Sequence, residues 1–227
     1  MADLAIYSKA QEILWNEPPA INGKVTLQLG GMHLTMTFIA SIGFLYRDGG
    51  LNNMLSDTDV YATNSCKQIL EGKQYSRGIR ALTLCADALS RLFYDSFRKW
   101  MEENQNEEIS TYYFVEELKN KQLNEDLLED MLRKLAPLKE KVTQFESIGR
   151  ESSFTFGYWL SFSKAVDLLL NLLRAERTAD FELHLNCIQE LLPYLIAGGR
   201  HLYAKWVPIY LRDMLEVKSK NPQMHDT

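Results

Sequence analysis

The stretch Val25-Thr-Leu-Gln-Leu-Gly-Gly-Met-His-Leu-Thr-Met-Thr-Phe-Ile-Ala-Ser-Ile-Gly43 decides how the chain reads. Val25, Leu27 and Leu29 alternate with Thr26 and Gln28, the period-two spacing of a strand. Gly30 and Gly31 then let the backbone bend through conformations closed to other residues. Beyond them the apolar positions recur at helical spacing, with His33 in the first turn. The pattern predicts a strand near residues 24–29, a glycine turn and a helix over 32–46. Polar atoms beyond the end of a buried strand are where α/β proteins often build sites. His33 is therefore a candidate proton shuttle or metal ligand, because imidazole titrates near neutrality. The competing reading is a helix-start histidine bonded to backbone or water.

Outward from this stretch the patterning is helical. Asp3 is placed to cap a first helix over Leu4–Trp15, and Asn16-Glu-Pro-Pro ends it, since proline cannot continue the ladder. Arg47-Asp-Gly-Gly reads as a turn, followed by short helices near 51–55 and 65–70. After the break Glu71-Gly-Lys-Gln, a helix over 76–101 places Ile79, Leu82, Ala86, Leu89, Phe93, Phe97 and Trp100 on one face. Residues 102–109 are acidic and polar and read as an exposed loop. Two or three helices are expected within 111–146, interrupted by Pro137, then an apolar helix over 154–177. Thr178 or Asp180 caps the next helix, which Pro193 kinks or stops. Gly198-Gly199 turns the chain into a last helix over 200–217, disturbed by Pro208, and 218–227 is a polar tail. The expected fold is mainly α: one multi-helix globular domain over 1–217, with at most a small β element near 24–29.

Composition sets the class. Of 227 residues, 46% are hydrophobic and 24% charged, enough apolar material for a real core. A formal charge of -5 argues against broad electrostatic binding of nucleic acid and leaves room only for a local basic patch. Cys66, Cys85 and Cys187 are odd in number and widely spaced, which is no disulfide framework. A reducing compartment, cytoplasm or nucleus, is expected. No basic start followed by an apolar core marks a signal peptide. The longest apolar run, near Met36–Tyr46, is about half the roughly 20 residues of a membrane span, so no membrane partner is expected.

Several polar groups merit weighing. His184 and Cys187 share a helix face and His201 lies beyond the next turn, but no tight ligand pair of the Cys-x₂-Cys kind exists, so no metal site is expected. Glu176, in Arg174-Ala-Glu-Arg177, runs against the preference of helix C-termini for cations. It either pairs with an arginine or serves a site. Lys67, Lys73, Arg77 and Arg80, with Tyr75 among them, form the densest basic cluster and are the candidate nucleic-acid contacts. An exposed helix start is the competing reading, and the preferred one. Arg200-His-Leu-Tyr-Ala-Lys-Trp206 is a second basic-aromatic group, whose rings are expected to pack inward. Nucleophile-elbow, phosphate-loop and dinucleotide fingerprints are all absent from the sequence.

A set of phrases nevertheless carries a family likeness. They are Leu4-Ala-Ile-Tyr-Ser-Lys-Ala-Gln-Glu-Ile13, Leu29-Gly-Gly-Met-His-Leu34, Gly72-Lys-Gln-Tyr-Ser-Arg-Gly-Ile-Arg80, Arg174-Ala-Glu-Arg177 with His184-Leu185, and Leu192-Pro-Tyr with Ala197-Gly-Gly-Arg-His-Leu-Tyr-Ala204. Together they resemble a large, uncharacterised family of animal proteins, abundant in fish and cnidarians and derived from mobile elements. A transposase-like origin implies a ribonuclease-H-like core, with carboxylates holding two divalent ions about 3.5–4 Å apart for in-line phosphoryl displacement. On that implication Asp3 and Glu176 are the catalytic acids, His33 a ligand or base, and Mg²⁺ or Mn²⁺ the cofactor. Two features of the sequence conflict with it. His33 stands where a carboxylate is needed, and imidazole suits Mg²⁺ poorly. Asp3 follows only two residues, so the strand that would present it is mostly missing. The expectation is a remnant of that fold.

Three functional readings follow. The first is a non-enzymatic helical protein of transposase-like descent, acting through protein or nucleic-acid contacts without a cofactor. The second is a metal-dependent nuclease or transposase built on Asp3, His33 and Glu176. The third is a helical scaffold that docks a partner on exposed rings, among Tyr203, Trp206 and Tyr210 or among Phe154, Phe156 and Tyr158.

Overall fold

The computed structural model describes residues 3–18, 25–58, 60–104 and 125–220. Among them the regular structure is nine α-helices and one 3-10 turn, so the fold is mainly α. The helices are α1 (Leu4–Asn16), α2 (Gly31–Tyr46), α3 (Leu51–Ser56), α4 (Thr63–Leu70), α5 (Tyr75–Glu103), α6 (Glu125–Ser152), α7 (Phe154–Thr178), α8 (Phe181–Ala197) and α9 (His201–Lys220). The 3-10 turn, Arg47–Gly49, joins α2 to α3.

The alternation before Gly30 does not make a strand. Residues 25–28 take no regular structure and Leu29 forms only an isolated bridge, while residue 24 lies outside the described residues. A period-two pattern needs a neighbouring strand edge to complete its hydrogen bonds, and the described elements around it are helices. Of the expected acidic loop, Glu102 and Glu103 belong to the end of α5, and residues 105–109 lie outside the described residues. The helices expected over 111–124 lie outside them too, as does the tail from residue 221; residues 218–220 continue α9.

Two compact units compose the chain: Met1–Ala86 with Phe162–Thr227, and Asp87–Ser161. In the first, α2 is the central element. Leu34, Thr35, Phe38, Ile39, Ala40, Ser41, Ile42 and Tyr46 are all buried, the signature of a helix enclosed on most sides. Helices α4 and α8 pack on α2, α9 packs on α8, and α1 on α9. Tyr7 of α1 is fully buried and sets its ring edge-on to Trp206 and Tyr210 of α9. Gly72, at φ +73°, carries the chain away from α4 directly against α2, where a Cβ would run into the Met36 carbonyl oxygen. Only glycine meets both demands.

The second unit has its own core, built from aromatic rings. Phe97, Met101 and Phe145 are buried there, and Phe93, Trp100, Leu138, Val142 and Phe156 pack around them.

Pro137, Pro193 and Pro208 all lie inside helices that continue past them. Each faces solvent, so the carbonyl that loses its partner one turn earlier is on the side where water can satisfy it. For this reason α6 runs unbroken through Pro137 and α8 through Pro193.

Candidate functional site

Two polar arrangements stand out in the first unit, both built around α2. One lies at its N-terminus. Helix α7 ends at Thr178, Ala179 takes a left-handed φ of 54°, and Asp180 caps α8 by accepting a 2.9 Å bond from the Leu183 amide. This tight reversal brings Glu176 against His184, with Oε1 2.8 Å from Nδ1. The imidazole Nε2 lies 3.0 Å from the Tyr210 hydroxyl. The carboxylate can only accept, so Nδ1–H donates to Glu176, and the ring bridges the carboxylate to the tyrosine hydroxyl. Burial, with Glu176 and Tyr7 adding negative charge, raises the Tyr210 hydroxyl well above the usual tyrosine range, so it stays protonated. Glu176 also rests on the start of α2: a Cβ at Gly31 would stand 2.5 Å from its Oε2. The helix dipole favours an anion at that end. Gly31 is thus where Glu176 seats, which the local sequence does not reveal.

The second arrangement is a cleft of about 550 Å³ beside the C-terminal half of α2, where Ala40 and Phe44 line it. Arg47, Lys67 and Arg200 line it, along with Asn52, Asn53 and Asn64. Arg200 follows Gly199, whose φ is +70°, and its Nη2 donates a 3.0 Å bond to the Ala40 carbonyl. Its Nε is buried without a partner. Asp48 and Glu71 also reach the walls, but Asp48 pairs with Arg47 at 3.3 Å and Glu71 with Lys73 at 2.6 Å. Lys73, with Lys67 and Arg47 beyond it, holds the Glu71 carboxyl below its usual range. Among the described residues neither Lys67 nor Arg200 forms an ion pair. A second recess of about 460 Å³ shares Ala40, Glu71 and Arg200 and adds His33, Thr37 and Tyr203.

The residues singled out from sequence fall into separate places. Asp3 caps α1, its Oδ1 accepting from the Ile6 amide at 2.9 Å. His33 is exposed in the first turn of α2 and lines the second recess. Glu176 pairs with a histidine rather than with an arginine. Among the described residues no three His, Cys, Asp or Glu side chains are grouped to hold a metal ion, so Asp3, His33 and Glu176 do not form such a set. Of the basic cluster, Lys67 faces the cleft, Lys73 is on Glu71, Arg77 donates to the Gln74 side-chain oxygen at 3.1 Å, and Arg80 is exposed. Trp206 and Tyr210 are core residues and Tyr203 is half-buried, whereas Phe154 is 90% exposed. Arg47 and Arg200 are the cleft residues that sequence reasoning missed. Arg200 lay in a conspicuous basic-aromatic phrase, yet nothing local ties it to Lys67, far away in the chain.

No helix among the described residues is long and apolar enough to cross a membrane. Comparison with curated proteins and with solved structures returns no match for the chain. A family model described as Domain of unknown function (DUF8702) matches residues 1–227, and the chain belongs to that family.

Proposed function

We propose that this protein works by binding rather than by catalysis, and that its ligand is anionic and held in the cleft beside Arg200. In this reading it is a non-enzymatic helical protein of transposase-like descent, in which the carboxylates of the ancestral chemistry have taken structural roles. The supporting observation is the unequal use of charge. Asp3 is committed to a helix cap and Glu176 to His184, while Lys67 and Arg200 face an open cleft without a carboxylate partner among the described residues. A two-metal nuclease needs the reverse, acids gathered and cations peripheral. A continuous nucleic-acid track along Lys67, Lys73, Arg77 and Arg80 has less support, since Lys73 and Arg77 are engaged by their neighbours. The three buried free thiols suit a reducing compartment, cytoplasm or nucleus.

Thermal unfolding with added tripolyphosphate tests the binding reading, because a ligand of the folded state raises the melting temperature. The rise is expected in the parent protein and is expected to be lost in Lys67→Ala. No rise at any concentration would reject it. Incubation with DNA and Mg²⁺ or Mn²⁺ tests the rejected chemistry: no nicking is expected, and nicking that disappears in Asp3→Ala and Glu176→Ala would restore the nuclease.

A further inference from the structure

We infer that the cleft takes the phosphomonoester group of a small molecule. This rests on the anion-binding reading above and adds the ligand class to it.

Charge is the first ground. The walls carry three cations, Arg47, Lys67 and Arg200, against Asp48 and a Glu71 already held by Lys73. That excess matches a dianion better than a single carboxylate, and a phosphomonoester carries about -1.5 to -2 charges near neutral pH. Donor count is the second. Arg200 keeps guanidinium N–H groups free beyond its bond to Ala40, Lys67 adds its ammonium, and Asn52, Asn53 and Asn64 add amides. Three terminal phosphate oxygens use such a set, whereas a carboxylate with two oxygens leaves donors idle. Fixity is the third. Arg200 is tethered to the backbone of α2 and its Nε is buried, so little side-chain freedom is lost when an anion arrives.

Shape separates a small ligand from a polymer. The cleft has a volume of about 550 Å³, within the range of roughly 300–1,000 Å³ typical of small-molecule sites. The adjoining recess of about 460 Å³ meets it at Arg200 and offers Met36, Thr37 and Tyr203 to the rest of the molecule. Duplex backbone asks instead for cations spaced along an open track.

Calorimetric titration with phenyl phosphate, benzoate and a short DNA duplex tests the assignment. Phenyl phosphate is expected to bind, benzoate at least about tenfold more weakly. Lys67→Ala and Arg200→Ala are each expected to weaken phenyl phosphate by about tenfold or more, and Arg80→Ala to leave it unchanged. Lys67 is exposed and makes no ion pair among the described residues, so that variant retains the fold even if loss of the Ala40 tether unsettles Arg200→Ala. Phenyl phosphate binding that ignores both substitutions would place the anion elsewhere and overturn the inference. Duplex binding that falls in Lys67→Ala, with no phenyl phosphate binding, would overturn the small-molecule class and leave the anion reading standing. Failure of every anionic probe, tripolyphosphate included, would remove both.

Discussion

Ala179 holds a left-handed backbone, φ 54°, between α7 and α8. For a residue with a Cβ this conformation costs about 1–2 kcal/mol. Ala179→Gly should therefore stabilise the protein by about 1 kcal/mol, read as a higher denaturant midpoint at unchanged slope. An unchanged or lowered midpoint would mean that the turn carries no such strain. Gly31 tests the neighbouring contact. A Cβ there displaces the Glu176 carboxylate, which His184 pins at 2.8 Å. Alanine otherwise suits a helix better than glycine, so the single substitution mixes two effects. The double-mutant cycle separates them. Gly31→Ala should be less favourable in the parent than in a Glu176→Ala background by about 1 kcal/mol. Additivity within error would remove Glu176 from the role assigned to Gly31. Asp3 was legible from its type and position alone, because an N-cap is a local device. Glu176 was legible only as a residue out of keeping with its helix end, since its partner lies on the next helix.

Helix α6 and the second half of α5 show how elements settle what residues leave open. The heptad-like apolar spacing of Ile79 through Trp100 is local information, and it foretold one long helix. Pro137 was expected to interrupt α6; it does not, because its ring faces solvent and Leu138, Val142 and Phe145 anchor the turns that follow it in the aromatic cluster. Phe145 meets Phe93 at 5.3 Å, Phe97 at 5.5 Å and Trp100 at 5.6 Å between ring centroids. Phe145→Ala should cost about 3–5 kcal/mol of this unit's stability, seen as an earlier loss of its near-ultraviolet circular dichroism. A cost below about 1 kcal/mol would show that the rings re-pack. The strand expected at 24–29 does not form over the described residues 25–29, for the complementary reason: a strand depends on a neighbour that period-two spacing does not supply.

Cys85 and Cys187, both in the first unit, couple its fold to alkali. Burial pushes both thiols up to about 11 from an ordinary 9.0. The folded protein keeps these protons where the unfolded chain releases them, so their contribution is complete below about pH 9 and is lost as the pH rises towards 11. Denaturant midpoints should fall across that window, and Cys85→Ala with Cys187→Ala should delay the fall. Tyr7 and Tyr210, raised by burial above the usual tyrosine range, extend the decline beyond it. A flat profile between pH 9 and 11 would mean that neither thiol is shielded. The same shielding predicts slow alkylation of both cysteines until the chain is unfolded.

Apolar periodicity, glycine and proline placement and capping residues specify the mainly helical class and the ends of most described helices, because those signals act within a few residues. Convergence is different in kind. Gly31 meets Glu176, and Lys67 shares a cleft with Arg200, only because α4 and α8 pack on α2 and α9 follows α8. Side chains distant along the chain acquire a common chemistry when burial of α2 draws their helices together, and no local pattern encodes that meeting.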